Sequence, residues 1–104
     1  MKKGEIWWAK LPPPVGRRPV LLLSRDEAYP VRTSITVAPV TTTIRKIPVE
    51  VPLGPEDGLP KHCAINCDNL MTILKSLLQE KIAHLSEVKL DAVHEAIQFA
   101  LDLP

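Results

Sequence analysis

The chain has 104 residues, 45% of them hydrophobic and 24% charged, an ordinary globular composition that excludes an intrinsically disordered protein. That length accommodates one domain, and we expect residues 1–104 to form it. A formal net charge of +1 excludes a global field that attracts nucleic acid or membrane, so a bound polyanion would need a local group of cations.

The sequence shows no signal peptide and no apolar run of membrane-spanning length, so we expect a cytoplasmic protein. In that reducing compartment Cys63 and Cys67 would be free thiols. A single C-x-x-x-C pair with only His62 beside it is a poor zinc site, and we predict no metal or cofactor.

Prolines divide the first part of the chain into short segments. The chain has 11 prolines, and all but Pro104 lie within residues 1–60. Helices of ordinary length do not tolerate that spacing, because an interior proline removes a donor and clashes with the preceding turn. Short strands do tolerate it where each proline lies at a strand start, an edge or a bulge. Residues 1–60 are therefore predicted to be β.

Two strands are predicted at the start of the chain. Residues 5–10 (EIWWAK) are short and aromatic and end at a proline cluster, which is typical of a strand followed by a loop over 11–17. Residues 18–24 (RPVLLLS) form a continuous apolar run between polar residues. This run predicts a central strand that is covered on both faces.

Residues 33–43 (TSITVAPVTTT) are β-branched almost throughout and predict a third strand, in which Ile35, Val37, Pro39 and Thr41 share one face. Pro39 predicts that this strand is an edge strand or carries a bulge. A fourth strand is predicted over 49–53, followed by a turn over 54–61 in which Asp57-Gly58 is the strongest signal.

The C-terminal part of the pattern is less uniform. Residues 63–66 suit a strand, whereas helical spacing over 68–79 favours a helix through Leu70, Ile73, Leu74, Leu77 and Leu78. Ser86 is a good N-cap and predicts a helix over 87–101 packed on the sheet. Its apolar stripe comprises Val88, Ala92, Val93, Ala96, Ile97, Ala100 and Leu101. Strands followed by a terminal helix indicate an α+β domain around a small, bent sheet.

Few residues offer chemistry. We expect His62, His84 and His94 to be surface or hydrogen-bonded histidines, with His94 on the polar face of the last helix, and no hydrolase, metalloprotease or phosphate-loop motif occurs. Cations and hydroxyls do cluster around strands two and three. Arg18 and Thr41 are predicted to lie at the ends of these strands and to face one cleft. Arginine suits phosphate oxygens, and a threonine hydroxyl can hold a second oxygen of the same group.

Several segments, taken in order, resemble the MazF/PemK toxin family: GEIWW at 4–8, GRRPVLLLS at 16–24, VAPVTT at 37–42, IPVEV at 47–51, AIN at 64–66, Lys75 and KIAHLS at 81–86. The resemblance implies a mostly β (α+β) fold, an SH3-like small β-barrel with a C-terminal α-helix of the CcdB/PemK type. It also implies a strand through about residue 73 in place of the helix suggested above. A homodimer is implied, with sequence-selective cleavage of single-stranded RNA and an antitoxin whose extended tail occupies the RNA groove.

The resemblance also assigns residues. It implies that the ribose 2′-hydroxyl attacks the adjacent phosphate without metal, leaving a cyclic phosphate and a 5′-hydroxyl. Arg18 would chiefly stabilise the phosphorane, since arginine is effectively never neutral, and Thr41 would orient the phosphate. No general base is identified. RNA contacts are expected from Arg17, Thr42, Arg45 and Lys75.

This sequence departs from the family pattern in two places. The first loop is short and carries Arg17 where many members have an acidic residue, and Met71 and Leu74 replace a common Arg and Asp. Two alternatives therefore stand beside the nuclease. One is a non-enzymatic topoisomerase inhibitor of the CcdB type, and the other a degenerate member that only binds RNA or antitoxin. The presence of both Arg18 and Thr41 favours the nuclease.

Overall fold

A computed structural model of residues 1–104 contains seven strands followed by one long helix. Short 3-10 turns occur at Asp26–Ala28, Pro55–Asp57, Cys67–Asn69 and Lys75–Leu77. The strands and helix are β1 (Glu5–Lys10), β2 (Arg17–Leu22), β3 (Ser34–Thr41), β4 (Glu50–Leu53), β5 (Cys63–Asn66), β6 (Met71–Leu74), β7 (Leu78–His84) and α1 (Glu87–Leu101). Each predicted strand over residues 1–66 is confirmed, with ends that shift by no more than two residues.

All strand pairs are antiparallel, and the sheet runs in the order β4-β5-β3-β2-β1-β7. β6 lies off this path and pairs with the first half of β3, while β5 pairs with its second half. The sheet is not closed, since β4 and β7 do not pair with each other. The predicted mostly β architecture with a C-terminal helix is confirmed.

The central position of β2 explains its continuous apolar run. Leu21 belongs to a core cluster that α1 covers through Val93 and Ala96, whereas Val20 and Leu22 point into a second cluster on the other face. These three side chains of β2 are fully buried. The expectation of a strand covered on both faces is therefore confirmed.

Pro39 lies in the interior of the sheet, so the predicted edge or bulge is wrong. The ladder between β2 and β3 is regular through the pair Val20–Pro39. On the other side of β3, the pairing with β6 ends at Val37 and the pairing with β5 begins at Val40. Pro39 falls in the gap between these two partners, where a missing N–H removes no ladder bond.

The segment after residue 66 is β rather than helical. The helix suggested by the spacing over 68–79 is wrong, and the strand through about residue 73 is confirmed as β6. β7 was not predicted. Ile73 is buried against the second cluster while its neighbour Leu74 is 53% exposed, an alternation typical of a half-buried strand.

Helix α1 has the predicted bounds. The Ser86 hydroxyl accepts a hydrogen bond from the Lys89 backbone N–H at 3.2 Å, which caps the first turn. The predicted apolar stripe is only partly correct, because Val88 is 77% exposed and Leu101 54% exposed. Neither α1 nor any shorter helical turn is long and apolar enough to cross a bilayer.

Glu5, at the start of β1, is a buried carboxylate with three donors. It accepts hydrogen bonds from Trp7 Nε1 at 2.9 Å and Lys2 N at 3.1 Å, and Lys81 Nζ lies at 3.2 Å. Burial raises the pKa of Glu5, but these donors outweigh it and hold the pKa below its ordinary value of 4.5.

Candidate active site

Arg18 and Thr41 lie at the end of the sheet where β2 begins and β3 finishes. Val20 pairs with Pro39, and continuing this register by two residues places Arg18 directly opposite Thr41. Both residues line two adjoining cavities of about 280 Å³ and 210 Å³. The structure thus brings together the two residues that the sequence had suggested for one cleft.

The larger cavity has an aromatic wall. Trp8 of β1 faces it, and the Arg17 guanidinium lies 4.2 Å from the centre of a Trp8 ring. Arg17 Nε donates to Gln79 Oε1 at 3.0 Å, and Glu80 Oε2 lies 3.9 Å from the guanidinium. The floor includes Val40, Thr41, Thr42, Leu59 and Pro60. The planar guanidinium on the indole ring and the apolar side chains beside it form a flat surface against which a planar ring can stack.

Trp8 is a site residue that the sequence analysis missed. Alternation along β1 sends its side chain to the face opposite Trp7, whose indole is held by Glu5. Because neighbouring side chains of a strand point to opposite faces, Trp7 and Trp8 cannot both pack into the same core. That signal could have marked one of them as a candidate for the cleft.

All but one of the residues that line the smaller cavity carry side-chain hydrogen-bond donors. Besides Arg18 and Thr41 it contains Pro39, Thr43, Arg45, Asn66 and Asn69, and no carboxylate lines it. Asn66 Oδ1 accepts a hydrogen bond from Asp68 N at 2.9 Å, which leaves its amide NH₂ as a donor. Two guanidinium groups with amides and hydroxyls match a ligand with several acceptor oxygens.

Glu50, the first residue of β4, lies behind Arg45. Its side chain is 2% exposed, and its Oε2 accepts from Arg45 Nε at 3.0 Å. Its Oε1 accepts from the backbone N–H groups of Arg45 at 2.8 Å and Lys46 at 3.2 Å. Burial raises the pKa of Glu50, but these donors and the Arg45 charge outweigh it, and the pKa lies below its ordinary value of 4.5.

The Thr41 hydroxyl is oriented by the backbone. Thr43 N–H donates to Thr41 Oγ1 at 3.1 Å. With one acceptor site of the oxygen occupied, the O–H remains free to donate into the cleft. Thr41 is thus equipped to donate to an anionic ligand that Arg18 also contacts.

The four predicted RNA-binding residues are divided by the fold. Arg17 and Thr42 line the larger cavity and Arg45 the smaller one. Lys75 lies elsewhere: its backbone N–H donates to Thr33 O at 2.8 Å, at the opposite end of β3, and its ammonium donates to the Tyr29 carbonyl. At about 3.4 Å per residue, roughly 25 Å of strand separates Lys75 from Thr41.

The histidines and cysteines form no catalytic arrangement. His62 and His84 are exposed, but His94 is half-buried with its Nε2 unpartnered, so its placement on a polar face is wrong. Burial raises the pKa of Cys67 to about 11, and burial with the nearby Asp57 and Glu56 charges raises that of Cys63. Buried neutral thiols are poor nucleophiles. No three His, Cys, Asp or Glu side chains are grouped to hold a metal ion.

Residues 2–101 match the protein family described as PemK-like, MazF-like toxin of type II toxin-antitoxin system. The chain belongs to this family. It is 38% identical over 101 residues to the probable endoribonuclease MazF5 of Mycobacterium tuberculosis, covering 96% of this chain and 92% of that one. The family predicted from the sequence is confirmed.

Solved structures of family members have the same fold. The Mycobacterium tuberculosis toxin MazF-mt6 superimposes with a TM-score of 0.89 at 39% identity, covering 96% of this chain and 98% of that one. An endoribonuclease from a mycobacterial species, solved in complex with its cognate antitoxin, gives a TM-score of 0.87 at 26% identity. That similarity covers 100% of this chain and 97% of the endoribonuclease.

Proposed function

We propose that this chain is an endoribonuclease toxin that cleaves single-stranded RNA at the cleft between β2 and β3. The observation that carries the proposal is that Arg18 of β2 and Thr41 of the neighbouring β3 line the same two cavities. Membership of the MazF-like family and similarity to endoribonucleases support it.

The chemistry is an internal transesterification. The ribose 2′-hydroxyl loses its proton to solvent while its oxygen attacks the adjacent phosphorus and forms a new P–O bond, giving a phosphorane with extra negative charge. The bond to the 5′-oxygen then breaks, and this oxygen leaves with the electron pair and takes a proton. The products are a 2′,3′-cyclic phosphate and a 5′-hydroxyl. Because neither cavity is lined by a carboxylate or an imidazole, we assign no side chain of this chain as general base.

Arg18 and Thr41 act on the phosphate. Because arginine is so weakly acidic, the main role of the Arg18 guanidinium is to stabilise the phosphorane. A secondary role is to donate a proton to the leaving oxygen and then regain one from solvent. The Thr41 O–H donates to a second phosphate oxygen and fixes the orientation of the group. The Thr41 hydroxyl is oriented before substrate arrives by the hydrogen bond from Thr43 N–H, and orientation of this kind favours strong stabilisation of a developing charge.

The two cavities divide the neighbouring RNA groups. The larger one, with Trp8 and Arg17, suits a base, and Thr42 lies on its floor. The smaller one, with Arg45, suits backbone phosphate. Lys75 would contact only a part of the strand well outside the cleft.

The proposal extends to partners and location. The chain would form a homodimer, act in the cytoplasm, and be inhibited by an antitoxin that occupies the cleft. A related endoribonuclease has been solved with its cognate antitoxin. A bound antitoxin segment at the Arg18 cleft would exclude RNA by occupying the same donors.

The test is cleavage of long single-stranded RNA in EDTA, with the product ends mapped. We expect fragments ending in cyclic phosphate, and Arg18→Ala should reduce the rate about 10²–10³-fold. Arg32→Ala is the matched control, because Arg32 is an exposed arginine that lines neither of the two cavities of the site. Absence of cleavage across many RNAs, or full activity in Arg18→Ala, would refute the assignment.

A further inference from the structure

Glu50 lies next to the cleft but does not line it. It is a nearly fully buried carboxylate, 2% exposed, whose two oxygens accept three hydrogen bonds from Arg45 and Lys46. These bonds fix the segment that follows Thr41, in which Lys46 adopts a left-handed backbone conformation with φ of 55°. A charged group is costly to bury unless it is paired in this way, so the arrangement is well defined.

The two carboxylate oxygens have separate tasks. Oε1 accepts the two backbone N–H groups and holds the loop, whereas Oε2 accepts Arg45 Nε and holds the side chain. The Arg45 side chain is nevertheless 52% exposed, and Arg45 lines the smaller cavity together with Arg18 and Thr41. An arginine anchored through Nε presents its remaining donors in a fixed plane.

We infer that Glu50 is a positioning residue that holds Arg45 against an RNA phosphate adjacent to the one that is cleaved. The ligand class is a phosphodiester rather than a base, because the smaller cavity is lined by donors and lacks the aromatic wall of the larger one. This inference rests on the proposed function. It adds a residue that binds no RNA itself but determines how tightly RNA is held.

Glu50→Gln separates the two tasks. The glutamine Oε1 can still accept the two backbone N–H groups, so the loop should remain folded. The amide NH₂ that replaces Oε2 would face Arg45 Nε–H, donor against donor, and would release the guanidinium. The substitution also removes a negative charge, which by general electrostatics should tighten RNA binding. Loss of positioning predicts the opposite, weaker binding.

The experiment measures binding of a mixed-sequence, single-stranded 2′-O-methyl RNA by fluorescence anisotropy at several salt concentrations. This probe lacks the attacking hydroxyl, so the result does not depend on cleavage. Arg45→Ala should raise Kd about 10-fold and reduce the slope of log Kd against log salt by about 0.7. Glu50→Gln should do the same, and the double variant should be no weaker than either single variant.

Glu95→Gln is the control for charge alone, since Glu95 is exposed on α1 and lines neither cavity. Tighter or unchanged binding in Glu50→Gln, as in this control, would overturn the inference, and so would additive effects with Arg45→Ala. Thermal unfolding of Glu50→Gln within a few degrees of the wild type confirms that the loop is held.

The same proteins are then assayed for cleavage. If the wild type cleaves RNA and Glu50→Gln binds RNA as tightly as the wild type, the positioning role is refuted and the proposed function stands. If the wild type does not cleave RNA, but the double variant binds RNA no more weakly than Arg45→Ala or Glu50→Gln alone, the nuclease is refuted and the positioning role stands. If the wild type binds no RNA, both fail.

Discussion

Replacing the Thr41 hydroxyl by a methyl group, in Thr41→Val, tests the site most directly. The two side chains have nearly the same shape and both are β-branched, so packing at the end of β3 should be retained. The hydroxyl oxygen currently accepts from Thr43 N–H at 3.1 Å, and its proton is free to donate to phosphate. The substitution therefore removes one local hydrogen bond and one proposed contact with substrate.

The two losses differ in size. Thr43 is exposed, so water replaces the lost acceptor and the free energy of unfolding should fall by less than about 1 kcal/mol. A hydrogen bond to a charged phosphate is worth about 1.5–3 kcal/mol, which corresponds to a roughly 10- to 150-fold lower cleavage rate. Stability and activity should therefore separate clearly in this variant.

The assay is single-turnover cleavage of an end-labelled RNA, with thermal unfolding measured on the same sample. Thr41→Ser keeps the O–H but loses the stiff β-branched rotamer, so we expect only a few-fold loss of rate. Wild-type cleavage by Thr41→Val would refute the role of the hydroxyl. An equally large loss in Thr41→Ser would show that the methyl group, not the hydrogen bond, is what matters.

Three further predictions concern stability and reactivity. Ser86→Ala should lower the free energy of unfolding by about 1 kcal/mol in urea titrations, because it removes the cap of α1, and Ser86→Asp should not. Glu5 and Glu50 have folded-state pKa values below 4.5, so their stabilisation is complete above that pH and is lost as the pH falls through the folded values. Acid unfolding followed by tryptophan fluorescence should therefore be less steep in Glu5→Gln, and an unchanged profile would contradict this. Cys63 and Cys67 should react slowly with a thiol reagent at pH 8 and rapidly in denaturant, since both are buried with raised pKa values; rapid native labelling would contradict their burial.

Local signals in the sequence predict most of the strands and the helix. Helix α1 is predicted with its observed bounds because its cap, Ser86, and its apolar spacing lie within one continuous segment. β2 is predicted as a central strand because a run apolar at every position needs cover on both faces. The regular alternation in β3 likewise places Ala38 and Val40 opposite Ile35 and Val37, and these residues enter different core clusters.

The segment after residue 66 shows where local pattern fails. Leucines and isoleucine spaced three and four apart also fit two short strands separated by a 3-10 turn. The choice between them depends on β3 and β1, which supply hydrogen-bond partners to β6 and β7 from distant parts of the chain. Only the resemblance to a family, which already contains that tertiary information, predicted the strand.

The same distinction applies to the residues of the site: some are predicted by the sequence, and others are found only in the tertiary structure. The sequence alone determined that Arg18 and Thr41 stand at the two ends of adjacent β segments, and the family pattern marked them. Only the tertiary structure decided which other groups join them: Trp8 from β1, Asn66 from β5, and Glu50 behind Arg45. The physical reason is that a strand's register and the exchange of partners along β3 set which side chains meet, and both depend on contacts between residues far apart in the chain.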